Sequence, residues 1–185
     1  MAQKSNKPRT VLVVGATGSV GRHAVAEALR QGYETRALVR DASRAGRMDP
    51  GAHLVIGELT RPETLDSYDE TIERNRREQA ADARPRMANA LPEVAQYDTM
   101  LLGSPVWNIR APMLISTFLD AVDLSGKSVL PFATYAVSGM GIIEKGYRDM
   151  LTYAEVRTGL AVRGEEVAGS GAEADEWLRE SGLFG

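Results

Sequence analysis

The stretch VLVVGATGSVGRHAVAEALRQG, Val11 to Gly32, constrains this chain more than any other. The β-branched and aliphatic run Thr10–Val14 reads as a strand buried on both faces. Helical spacing follows at once: Val20, Ala24, Val25, Ala28 and Leu29 share one face, and Gly32 stands where a helix ends. Between strand and helix, Gly15, Gly18 and Gly21 form GxxGxxG. The first glycine permits the tight turn. The second lets backbone approach a phosphate, and the third lets the helix pack close to the strand. Free N–H groups at the helix start, with the helix dipole, favour an anion. A dinucleotide loop is expected, with a bare strand-to-helix turn as the alternative.

The end of the second strand, Thr35–Val39, bears on which dinucleotide. An NAD site ordinarily has an acidic residue there, bonding the ribose hydroxyls. Here the sequence is ALVRDASR, with Arg40 in that place and Arg44 one helical turn on. A guanidinium offers paired donors to a 2′-phosphate. NADP(H) is therefore expected over NAD(H). Asp41 offers ribose recognition instead, and plain surface charge is the other reading of the two arginines.

The rest of the chain alternates in the same way. Ala42–Met48 suits one or two helical turns, stopped by DPG at 49–51. His53–Ile56 is a third strand. Thr60, Pro62 and Glu63 carry helix-start signals, and a helix is predicted over about Asp69–Ala83. Strands are predicted at Thr99–Leu102, Ser128–Thr134 and Val156–Val162, and helices at Pro112–Val122, Glu144–Tyr153 and Glu173–Ser181. Such alternation argues for a parallel sheet with helices on both faces. No stretch reads as a linker, and no repeat of solenoid length occurs, so residues 1–185 are expected to form one α/β domain.

Composition narrows the function classes. At 43% hydrophobic and 25% charged residues the chain reads as soluble and globular. A net charge of −3 favours neither nucleic acid nor an anionic membrane. The arginines at 74, 76 and 77 are interleaved with Glu70, Glu73 and Glu78 at i,i+4 spacing, which reads as a solvated helix face. With no cysteine there is no disulfide and no thiolate chemistry. His23 and His53 stand alone, so no metal site is expected. No apolar run reaches spanning length and the start MAQKSNKPRT has no signal-peptide core, so a cytoplasmic monomer or homodimer is expected.

The opening, VLVVGATGSVGRHAVAEALRQGYETRALVRDASRA followed by HLVIGELTRPETL, resembles the NmrA-like atypical short-chain dehydrogenase/reductases over residues 8–66. That resemblance implies a Rossmann fold and NADP(H). Gly15, Thr17, Gly18, Ser19, Val20 and Gly21 would form the phosphate loop. Arg40 would read the 2′-phosphate, and Glu58 and Leu59 would stand near the adenine. The YxxxK pair that related reductases use for proton transfer is missing; Tyr153 with Arg157 is a coincidence of spacing. NmrA-like proteins include redox sensors without reductase activity.

From Tyr68 the chain resembles a different family. YDTMLLGSPVWNIRAPMLISTFLDAVDLSGKSVLPFATYAVSGMG and GLAVRGEEV look like the flavodoxin-like proteins, a resemblance covering residues 67–184. It implies that Gly103, Ser104, Pro105 and Trp107 in one loop, and Thr134, Tyr135 and Gly139 in the next, flank a flavin ring. Trp107 is either a stacking ring or a half-buried packing aromatic. The hydroxyl-rich first loop of a flavodoxin, which holds the FMN phosphate, is replaced by the Rossmann opening; Thr17 and Ser19 retain two hydroxyls.

Joining the two patterns predicts a doubly wound, six-stranded parallel sheet in the Rossmann-like order 3-2-1-4-5-6. The crevice would lie between strands 1 and 4, and the seam near Leu65–Tyr68. NADP(H) binding leads the functional expectations, in an oxidoreductase or a redox sensor. FMN-based electron transfer is the alternative, and both ligands would use one crevice.

Overall fold

The computed structural model describes residues 9–39, 42–46, 48–56, 68–87 and 90–182. Its elements are β1 (Thr10–Val14), α1 (Ser19–Arg30), β2 (Glu34–Val39), β3 (His53–Ile56), α2 (Tyr68–Ala80) and β4 (Thr99–Pro105). They continue with α3 (Met113–Ala121), β5 (Ser128–Tyr135), α4 (Ile143–Met150), β6 (Glu155–Val156), β7 (Leu160–Arg163) and α5 (Gly171–Glu180). Short 3-10 turns stand at Ala42–Ala45 and Val167–Gly169. The sheet is parallel throughout, in the order β3-β2-β1-β4-β5-β6, with β7 also on β5. The predicted α/β class, strand order and junction of strand 1 with strand 4 all hold: Val11 to Val14 pair with Thr99 to Leu102. The helix-start signals at Thr60, Pro62 and Glu63 lie outside the described residues.

Strand residues alternate between two buried layers, as a sheet covered on both faces requires. Val11, Val13, Ala37, Val39, Leu101, Leu130 and Phe132 pack with Val20, Ala24 and Val25 of α1 and Ala174, Trp177 and Leu178 of α5. Leu12, Val14, Leu38, Met100, Leu102, Val129 and Ala133 pack with Ile115, Phe118 and Leu119 of α3 and Ile143 and Tyr147 of α4. Burial of these side chains is the main source of stability, at about 25 cal/mol for each Å² of apolar surface removed from water. Phe132 meets the Trp177 ring edge-on, with centroids 6.3 Å apart, an arrangement that favours aromatic pairs.

Helix ends shift by up to three residues, as at α2 and α4, and two departures from the sequence reading bear on the sheet. The single strand expected over Val156–Val162 is two, so the sheet has seven strands. Arg157 N donates to Val129 O, which places the polar groups of Val129 on this edge of β5. Pro131, two residues on, faces the same edge and has no N–H to give, so the ladder breaks there. Gly159 fills the gap and donates its N–H to Glu144 Oε2 at 3.0 Å. A Cβ on Gly159 would meet Pro131 O at 2.9 Å. The second departure is β4, which runs three residues past Leu102. Its Gly-Ser-Pro end has no strand propensity of its own, but it pairs with β5 through Pro105 and Thr134.

Candidate functional site

Parallel strands deliver their C-terminal ends to one rim, where open α/β sheets place their ligands, and the candidate residues gather there. The β1–α1 loop closes as its glycines require. Gly15 has φ +82, and its carbonyl accepts Gly18 N at 3.1 Å. A Cβ on Gly21 would lie 2.2 Å from Gly15 O, so the third glycine is what lets α1 sit on β1. Gly18 differs: a Cβ there would find only Gly15 O, at 3.4 Å. Its exposed side is free for a ligand.

Gly18 is also the N-cap of α1, with no side-chain cap and no acidic residue in the first turn. The N–H groups at the start of α1 are therefore left for an external acceptor, and no carboxylate competes with an anion. Arg22 adds a positive charge. Its Nη1 donates to Thr17 O at 2.7 Å and its Nη2 to Ser19 Oγ at 3.4 Å. Val20 is buried, so it offers the site its backbone and the core its side chain. Arg40, Glu58 and Leu59 lie outside the described residues, as does the side chain of Arg44.

The second part of the rim lies over β4, β5 and β7. A cleft of about 310 Å³ is lined by Pro105, Val106, Trp107, Thr134, Tyr135, Ala136, Gly164 and Glu165. Pro105, Trp107, Thr134 and Tyr135 among them are residues that the sequence pointed to. Val106 and Ala136 lie in the same two loops, 104–108 and 134–141; Gly164 and Glu165 were missed, although the end of GLAVRGEEV carries both. Trp107 is 40% exposed, which leaves its ring available to the cleft. The other predicted residues take supporting places. A Cβ on Gly103 would strike the Phe132 ring at 2.3 Å, and Gly15 packs against the Gly103 backbone. Gly103 thus lets β1 and β4 close beneath the rim. Ser104 is buried, and its hydroxyl accepts a long 3.4 Å hydrogen bond from Tyr147. Burial holds the Tyr147 hydroxyl well above the ordinary tyrosine pKa, so it stays a neutral donor. Gly139, with φ +58, has open space around it.

The Trp107 loop turns back on itself. Trp107 and Arg110 exchange backbone hydrogen bonds of 2.8 and 3.1 Å, around Asn108 and Ile109 at φ +47 and +61. Two successive positive φ values make this a type I′ turn. Ile142 N donates to Ile109 O at 2.8 Å, and a Cβ on Gly141 would lie 2.1 Å from that oxygen. The loops after β4 and β5 are therefore joined, and Gly141 is what admits the contact.

Fold and site geometry together define a doubly wound α/β protein with a glycine-rich strand-to-helix turn at one strand end and a cleft two strands away. The flavodoxin family model matches residues 61–180, and the chain belongs to that family. An NAD(P)H-binding family model matches residues 15–70, where a flavodoxin would carry its own first strands. A flavoprotein from Lactobacillus acidophilus solved in complex with FMN shares the fold at TM-score 0.58 and 17% identity, over 93% of this chain and 99% of that one. A structure from Bacteroides eggerthii assigned to the flavoproteins does so at TM-score 0.66 and 21% identity, over 96% and 99%. In sequence, the photosystem II assembly factor Ycf39 of Trieres chinensis is 44% identical over 57 residues, 30% of this chain. The match spans 18% of that relative, so this chain shares under a fifth of its length. Among the described residues no helix is long and apolar enough to cross a membrane.

Proposed function

We propose that this chain binds NADP(H), with the pyrophosphate on the Gly15–Gly21 loop and the nicotinamide directed to the cleft beside Trp107 and Tyr135. The observation that carries the reading is the uncapped start of α1 behind Gly18. Its free N–H groups and Arg22 supply the charge complement of a phosphate group. The adenine half would extend the other way, over the end of β2, toward Arg40 and Glu58. Thr17 and Ser19 would offer hydroxyls, and Val20 and Gly21 backbone N–H groups. When bound, the cofactor supplies two-electron chemistry. The chain supplies orientation, through the loop, the cleft and the buried Tyr147–Ser104 pair beneath it. A redox-sensing or oxidoreductase role follows from this reading.

FMN is the second reading, and the cleft favours it. Adjacent strands lie about 4.8 Å apart, so the phosphate loop over β1 stands roughly two spacings from β5, within reach of one ribityl chain. The two cofactors differ in where they extend. NADP(H) crosses the rim in both directions, whereas FMN runs from β1 toward β5 alone.

Calorimetric titration with NADPH, NADH and FMN, on wild type and Arg40→Ala, separates them. NADPH binding tighter than NADH, weakened about tenfold or more by Arg40→Ala, is expected when a 2′-phosphate loses its paired donors. Binding of FMN alone, unaffected by Arg40→Ala, selects the second reading. Binding of none sinks both.

A further inference from the structure

The type I′ turn Trp107–Arg110 places the Trp107 ring, which lines the cleft together with Tyr135, yet its own sequence resists it. Asn108 tolerates a left-handed backbone, but Ile109 is β-branched at φ +61. Packing does little to hold it, since Ile109 is 49% exposed. Its restraints are hydrogen bonds. Ile142 holds it on one side through Ile109 O. On the other side stands Gln79, in the last turn of α2. Gln79 Nε2 donates to Trp107 O at 2.9 Å, and Asn108 Nδ2 donates to Gln79 Oε1 at 2.8 Å. Both ends of one carboxamide are thus spent on adjacent residues of the turn. Asn75, one helical turn earlier on the same face of α2, is buried with an Oδ1 that accepts no hydrogen bond. It provides no second tether.

We propose that Gln79 is a positioning residue of the cofactor site: it fixes the Trp107 turn, and through it the wall of the ring cleft. The proposal rests on the cofactor reading above for its ligand, and on the turn alone for its geometry. A purely structural role would show in stability. These bonds are solvent-exposed, and water replaces them when they are lost, so the fold has little at stake. The orientation of Trp107 has more.

Gln79→Leu keeps the size and removes both bonds. Gln79→Glu keeps the acceptor for Asn108 and sets a carboxylate oxygen against Trp107 O. Each is titrated with NADPH and with FMN, melted, and digested with trypsin without ligand, following cleavage after Arg110 by mass spectrometry. The expected result is affinity at least about fivefold weaker, the equivalent of one lost hydrogen bond. Melting should stay within about 3 °C of wild type, and cleavage after Arg110 should be faster. Unchanged affinity together with unchanged cleavage overturns the proposal, as does a drop in melting temperature large enough to account for the affinity loss. If wild type binds neither cofactor, the cofactor reading fails by itself, and cleavage at Arg110 decides whether Gln79 holds the turn.

Discussion

Gly18 and Gly21 look alike in the sequence and do different work. Gly21 is under contact: an added methyl would meet Gly15 O at 2.2 Å and Ala16 Cα at 2.9 Å, both backbone. Gly18 has φ −68 and ψ 161, a conformation open to any residue, with ordinary space around it. Gly21→Ala is expected to destabilise the fold by about 3 kcal/mol, the upper end of the cost of an overpacked core. Gly18→Ala should leave melting nearly unchanged and weaken the bound phosphate. Thermal melts beside NADPH and FMN titrations check the pair. Equal effects of the two substitutions on stability would show that the loop is not packed as described.

At the scale of the element, α1 is held at its C-terminal end by one carboxylate. Glu27 is 3% exposed, and it accepts from Arg30 Nε at 2.6 Å and from Gln31 Nε2 at 2.8 Å. Burial alone raises its pKa. The hydrogen bonds from Arg30 and Gln31, with the charges of Arg30 and Arg179, outweigh burial and leave the pKa below the ordinary glutamate value. A lowered folded pKa means that the carboxylate contributes stability above the unfolded pKa. That contribution is lost as pH falls through the folded value. Glu27→Gln is expected to cost about 1 kcal/mol at neutral pH, a modest figure because Arg30 lies open to solvent. Melts of both proteins at pH 7 and pH 3 should show the gap closing on acidification. A gap that stays constant rejects this account of Glu27.

At the scale of the molecule, the two family patterns share one sheet rather than abutting. β1, from the NAD(P)H-binding end, lies between β2 and β4, and its residues sit in both buried layers. We propose that the chain folds as one domain, with its seam ahead of α2. Unfolding in urea should then give coincident transitions by far-ultraviolet circular dichroism and by the fluorescence of buried Trp177. Two separated transitions would make the halves independent units.

The sequence alone was enough for the class, the order of the sheet and the tight glycine turn between β1 and α1. Those rest on local patterns: apolar runs with the right period, glycines at fixed offsets, and a known way to join two sets of three strands. The cleft was mostly legible, because its residues after β4 and β5 lie in recognisable loops. Gly164 and Glu165 joined it only when β7 settled on the edge of β5. The break between β6 and β7 was hidden for a similar reason, since Pro131 acts on a strand nearly thirty residues away through a hydrogen bond that it cannot make. Gln79 was invisible in the same way. Its helix reads as a solvated face, and only the tertiary structure brings that carboxamide to a turn whose β-branched Ile109 disfavours it.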